Sequence, residues 1–226
     1  MRGLFLASQS GEPGTSDNIA KFGAMFFVLA VAMPLVIALG DSMTCGYGLA
    51  SPLTQSYAAR YTRRIHGRLA NLAVPGYQCE DVLDNEIPKM PRGASVVILN
   101  CGTNDIGGFS FTPEGKPDGS KRTAPANDAE LAAAQQAFAK ALALIRREEP
   151  AATIDLVNLR HWQRMTGPET PQFAKDVTVW NAMLAATNLH VIDLSVDPRM
   201  YRTRYLQADL LHANAEGNAA IASDFR

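Results

Sequence analysis

Five short apolar runs, each followed by a stretch of helical or turn character, constrain this chain more than any other feature. They read "LVIALG" (35–40), "RLANLAV" (68–74), "SVVILNCG" (95–102), "TIDLVNL" (153–159) and "LHVIDL" (189–194). They are rich in Val, Ile and Leu and do not alternate with polar residues. A strand with one wet face alternates; a strand covered on both faces does not, so the pattern predicts parallel strands between two layers. Helical patterns fill the intervals. "SYAARYTRRIHG" (56–67) sets Tyr57, Tyr61 and Ile65 four residues apart, with Gly67 as a stop. Residues 127–149 have an Asn-Asp start, an alanine-rich middle and a basic end closed by Pro150. Residues 170–188 carry proline in the first turn, and 214–225 form a short last helix. Strand–helix alternation implies right-handed crossovers and a doubly wound parallel sheet, in which ligands bind beyond the carboxyl ends of the strands.

A chain of 226 residues, 47% of them hydrophobic, is one ordinary domain with a real core. Its 21 Lys and Arg nearly balance 22 Asp and Glu, and a net charge of -1 gives no electrostatic basis for binding nucleic acid. There is no internal repeat and no low-complexity segment. The leader, residues 1–33, is set apart from the domain at 34–226. A polar, turn-rich stretch precedes the apolar run "FGAMFFVLAVAM" (22–33). Three readings stay open: a cleaved export signal, a start annotated too far upstream with Met25 or Met33 as the true one, and an uncleaved anchor or packed helix. The first inclines towards an exported protein, the second towards a cytoplasmic one, and only the third gives a stable membrane partner. Cys45, Cys79 and Cys101 show no C-x-x-C spacing, so no zinc site is expected, and three small buried hydrophobes are the simplest reading.

The strand ends carry the chemistry. Ser42 follows the first run by two residues, across Gly40, where a side chain would hinder a sharp turn. A serine hydroxyl is a weak nucleophile until a base takes its proton. Of four histidines, only His212 has an acid three residues ahead, Asp209, which could reach one ring nitrogen and leave the other for the serine. His66 lies in a basic helix; His161 and His190 read as structural or surface residues. Gly76 just past the second run and Asn104 just past the third could join the Ser42 N–H as oxyanion donors. Singly, each has a plain alternative: a turn glycine, a helix-capping Asn, a chance D-x-x-H. Together they gather at one sheet edge.

In order and spacing, "GDS" (40–42), Gly76 in "NLAVPG", "GTND" (102–105) and "DLLH" (209–212) resemble the four blocks of the GDSL/SGNH hydrolases. The resemblance covers residues 35–222. It implies a flavodoxin-like three-layer α/β/α sandwich with a five-stranded parallel sheet in the order 2-1-3-4-5. It also implies Ser42 as nucleophile, His212 as base, Asp209 as its orienter, and Ser42, Gly76 and Asn104 as the oxyanion hole. Met43 departs from the usual leucine by a volume-conserving exchange. Asp41 and Asp105 read as turn-stiffening residues rather than catalytic ones. The strand order would bring all three cysteines near the active-site edge, and in an exported protein a Cys45–Cys79 bridge between neighbouring loops is the pairing considered.

The implied reaction is hydrolysis of a carboxylic ester through an acyl-enzyme, with no cofactor and no metal, on a small-molecule or carbohydrate ester. The connection at 107–128 is polar, rich in Gly and Pro, and has only Phe109 and Phe111 as large apolar residues, which favours short acyl chains over a deep lipid site. A thioesterase, a lysophospholipase or an acyltransferase would use the same residues, and a non-catalytic binding module would leave them idle. A nucleophile elbow needs G-x-S-x-G, and Thr44 stands where its last glycine would be. Neither a G-x-G-x-x-G first turn nor a P-loop occurs.

Overall fold

A computed structural model describes residues 33–107, 126–161 and 171–226. The leader, apart from Met33, most of the 107–128 connection and the first residue of the 170–188 segment lie outside the described residues. In chain order, β1 (Leu35–Gly40) leads into α1 (Ser42–Cys45), α2 (Pro52–Gln55) and α3 (Tyr57–Arg64). Next come β2 (Arg68–Asn71), the short α4 (Cys79–Asp81), a π-helical turn at Val82–Glu86 and a 3-10 turn at Ile87–Lys89. Then follow β3 (Val96–Asn100), α5 (Thr103–Gly107), α6 (Asp128–Glu148), β4 (Thr153–Val157), α7 (Pro171–Ala185), β5 (His190–Ile192) and α8 (Ala215–Asp224).

The five strands form one all-parallel sheet in the order β2-β1-β3-β4-β5, as the apolar runs and the family resemblance predict. The central strands β1 and β3 are buried at every position. Successive side chains point to opposite faces, so each strand feeds two cores. Leu35, Ile37, Leu39, Val97 and Leu99 pack with Phe138 and Ile145 of α6 and Trp180 of α7. Val36, Ala38, Val96 and Ile98 pack on the other face with Tyr57 and Tyr61 of α3 and Ile221 of α8. This two-sided demand is why these runs are apolar without alternation. The edge strands differ: β2, Arg68–Asn71, and β5, His190–Ile192, are the shortest, and most of their residues are only partly buried. An edge strand has one neighbour to bond and less to bury, so apolar sequence alone does not extend it.

Helix boundaries follow local chemistry. Asn127 accepts from the N–H groups of Ala129 and Glu130, and Glu130 reaches back to Asn127 N–H, a full capping box that starts α6. Arg146 and Arg147 sit in its last turn. Ser56 caps α3 and Asn214 caps α8. The helical stretch from Cys79 to Lys89 carried no sequence signal, because it is broken into single turns and contains Pro88.

Candidate active site

Backbone geometry at the end of β1 sets the position of Ser42, the expected nucleophile. Gly40 has φ of +137°, and a Cβ there would stand 1.8 Å from the carbonyl oxygen of Asn100 on the neighbouring β3. Only glycine lets β1 stay in register to its last residue and then turn. Asp41 follows with its Oδ1 accepting from Met43 N–H at 2.9 Å, capping the single turn of α1. Ser42 is therefore the first residue of α1, and Thr44, two residues on, bonds Tyr57 of α3 through its hydroxyl at 2.6 Å.

Ser42 Oγ lies 2.9 Å from His212 Nε2, and His212 Nδ1 lies 2.6 Å from Asp209 Oδ2. A carboxylate only accepts, so Nδ1 carries the proton and Nε2 is left to accept from the serine hydroxyl. Asp209 Oδ1 also accepts from the N–H groups of Leu211 and His212, at 2.9 and 3.0 Å. Partial burial pushes the Asp209 carboxyl up, but the His212 ring and these two N–H groups outweigh it and hold the carboxyl below its ordinary value. Tyr47, on the loop after α1, tilts over the imidazole with ring centroids 5.0 Å apart.

The two expected oxyanion donors lie just past β2 and β3. Gly76 turns with φ of +84° in the loop after β2. Asn104 is buried in α5 and donates one amide proton to Tyr77 O at 2.9 Å. A side-chain amide has two protons, so a second remains. Gln78 Nε2 donates to Asn104 O at 3.4 Å, and Cys79 N–H donates to the Asp105 carboxylate at 3.1 Å. Asp41 and Asp105 thus brace turns, as their positions suggest.

The cysteines correct the sequence reading. Cys79 and Cys101 form a disulfide with Cα atoms 5.4 Å apart, while Cys45 is free. Neither three buried thiols nor a Cys45–Cys79 bridge is found. Cys45 rides one turn beyond Ser42 with its Sγ donating back to Ser42 O at 3.4 Å, and burial pushes its thiol up to about 12. Cys79 and Cys101 instead share the core that β1 and β3 build with α6 and α7. The sequence carries a signal for this pairing: Cys79 is three residues after Gly76 and Cys101 three before Asn104, so a bridge between them ties together the segments that hold the two expected oxyanion donors.

Two further features escaped the sequence. Glu86, on the π-helical turn, is 1% exposed and accepts from Gly40 N–H at 2.8 Å, gripping the nucleophile turn from behind. Burial pushes its carboxyl up to about 8 and that of fully buried Asp41 up to about 7, against the N–H groups that bond them. Arg160, beyond β4, is 5% exposed and donates into the loop that carries Asp209 and His212. His190 pairs through Nδ1 with Asp155 at 2.9 Å, a structural contact consistent with its expected role. No cluster of three or more His, Cys, Asp or Glu able to hold a metal occurs among the described residues.

Known proteins of similar sequence or shape place this geometry. No protein of curated function matches the sequence. Among solved structures, a lipase from a goat rumen metagenome superposes with a TM-score of 0.62 at 18% identity, covering 85% of this chain and 95% of the other. Phospholipase A1 from Streptomyces albidoflavus gives 0.60 at 16% identity over 83% and 95%. A carbohydrate esterase with an added carbohydrate-binding domain, from Corynascus thermopiles, gives 0.54 at 18% identity over 84% and 64%. At such identities these likenesses speak for the fold. The family model "GDSL-like Lipase/Acylhydrolase family" matches residues 38–220, from within β1 to within α8. The chain belongs to the GDSL-like lipase and acylhydrolase family, and it is an ester-bond hydrolase.

Proposed function

We propose that the protein is a serine esterase that forms an acyl-enzyme on Ser42 and acts on short acyl esters, acetyl esters of carbohydrates among them. The observation that carries the reading is the unbroken hydrogen-bonded chain Ser42–His212–Asp209. His212 Nε2 takes the Ser42 proton as Oγ bonds to the ester carbonyl carbon. The carbonyl π electrons move to oxygen, and the oxyanion is received by the N–H groups of Ser42 and Gly76 and the second amide proton of Asn104. As the carbon–oxygen bond to the alcohol breaks, the proton on Nε2 passes to the leaving oxygen. A water then gives its proton to the same nitrogen as it attacks the acyl carbon; the bond from that carbon to Oγ breaks, the proton on Nε2 passes to Ser42 Oγ and the acid leaves.

The composition of the 107–128 connection, polar and with only Phe109 and Phe111 as large apolar residues, supports a short acyl group. The carbohydrate esterase of the same fold is consistent with a sugar as the alcohol. The test is hydrolysis of p-nitrophenyl acetate, butyrate and octanoate, and of acetylated sugars, beside Ser42→Ala. Acetate turnover that falls towards octanoate and vanishes in the variant is expected. Preference for octanoate overturns the short-acyl assignment, and equal rates in both proteins overturn Ser42 as nucleophile.

A further inference from the structure

The loop that presents Asp209 and His212 has no strand to hold it. It follows two 3-10 turns, Pro198–Tyr201 and Thr203–Tyr205, and is closed by Gln207 N–H donating to His212 O at 2.8 Å. At its centre Leu210 takes φ of +59°, a left-handed conformation that a leucine adopts at a cost. Something must hold it there.

Arg160 is placed to do so. Its backbone is rooted: Asn181 of α7 bonds Leu159 at both N–H and carbonyl, at 3.0 and 2.7 Å. Its guanidinium reaches across the end of the sheet. Nη1 donates to Met200 O at 3.0 Å, and Nη2 donates to Leu210 O at 2.5 Å and Leu211 O at 2.9 Å. Those two carbonyls belong to consecutive peptide groups whose N–H ends are those of Leu211 and His212. Both N–H groups donate to Asp209 Oδ1. Each peptide is thus gripped at its oxygen by a buried cation and at its N–H by the Asp209 carboxylate. Hydrogen bonds to ionised groups are the stronger kind, and bonds in series polarise one another. A guanidinium suits the task because it stays charged and offers a planar fork of donors.

We propose that Arg160 is a positioning residue for the reaction: acting through the Leu210 and Leu211 carbonyls, it fixes the Asp209 carboxylate and the His212 ring in line with Ser42. The assignment rests on the serine-esterase reading of the same site. It predicts an effect on turnover rather than on substrate binding, because Arg160 is buried and touches the loop, not the substrate.

The experiment compares the wild type with Arg160→Met, Arg160→Lys and Arg160→Ala in p-nitrophenyl acetate hydrolysis, with Ser42→Ala as the blank. Proton NMR follows the downfield Nδ1–H of His212. In Arg160→Met, kcat is expected to fall at least about 10-fold with KM changed less than about threefold, the pattern of a lost transition-state interaction. The Nδ1–H resonance is expected to broaden or vanish. Millimolar guanidinium is expected to restore part of kcat to Arg160→Ala, a recovery that a merely structural defect would not show. If Arg160→Met does not fold, Arg160→Lys decides: it keeps the charge, loses the fork, and is expected to lose kcat severalfold with the resonance weakened. A folded variant with wild-type kcat and an intact resonance overturns the assignment, and so does a change confined to KM. A wild type inert towards esters whose resonance is nevertheless lost in Arg160→Met would sink the esterase reading and leave the role of Arg160 standing.

Discussion

The two halves of the candidate site are held by different means. Ser42, Gly76 and Asn104 sit at or just beyond the ends of β1, β2 and β3, at the paired centre and neighbouring edge of the sheet. Their loops are braced by the Cys79–Cys101 disulfide, by the Asn104–Tyr77 and Cys79–Asp105 hydrogen bonds and by Glu86 behind Gly40. Asp209 and His212 lie outside the sheet, on a loop held by side-chain hydrogen bonds to its backbone, with Leu210 in a left-handed conformation. In the proposed reaction the oxyanion donors must not reorganise as charge develops, and they lie in the half with the covalent brace. The acid–base side has only to keep two contacts in line, and it is held by polar bonds that a single substitution can release.

Removing the nucleophile tests whether the halves act as one unit. Ser42→Ala should lower kcat on p-nitrophenyl acetate by about 10⁴-fold or more while leaving the far-UV circular dichroism unchanged, since triad members act together. Asn104→Ala probes the covalently braced half alone. It should cost about 10²–10³ in kcat, read by steady-state kinetics, with little change in KM. A loss below tenfold would mean that Asn104 braces Tyr77 and does not meet the oxyanion.

Cutting the covalent brace comes next. The disulfide closes a loop with a sequence separation of 22. Cys79→Ala/Cys101→Ala should lower stability by about 3 kcal/mol, measured by urea unfolding. Turnover should fall severalfold if the bridge also positions the oxyanion loops; unchanged kcat in the folded double variant would confine the bridge to stability.

A pH-dependent effect concerns the buried carboxylate behind Gly40. Burial raises the Glu86 carboxyl to about 8, so the folded state holds a proton that the unfolded chain has already lost. A raised carboxyl pKa makes stability fall as pH rises, here from the ordinary glutamate range near 4.5 up to about 8, after which the deficit is constant. Asp41, raised to about 7, acts in the same direction. Glu86→Gln keeps an acceptor for Gly40 N–H and cannot ionise. Its melting temperature should gain on the wild type at pH 9 relative to pH 5, by thermal unfolding. Parallel curves at both pH values would show that Glu86 is charged in the fold.

The residues of both halves were legible in the sequence; the braces that hold them were not. β1 matches its apolar run residue for residue, because full burial on two faces leaves a local trace that needs no partner to read. The edge runs are longer than their strands: β2 ends at Asn71, although the N–H groups of Leu72 and Val74 still donate to Ala38 O and Gly40 O of β1, and β5 ends at Ile192. Ser42, Asp209 and His212 were nameable from short motifs, and the structure brings all three into hydrogen-bonding contact. The cysteine pairing was misread because pairing depends on which side of the sheet each side chain faces. A likeness in strand order does not give that.

What the sequence by itself determined is the layered architecture and the residues that meet at its carboxyl edge. Hydrophobic periodicity and short motifs are local, and the right-handed crossover rule converts them into topology. What only the tertiary structure decided is how those residues are held: the Cys79–Cys101 bridge, the grip of Glu86 on Gly40, and the reach of Arg160 to carbonyls 50 and 51 residues away. These contacts are made to backbone groups, or between residues far apart in sequence. A carbonyl oxygen is the same at every residue, so nothing in the amino-acid order marks the ones a distant side chain will find.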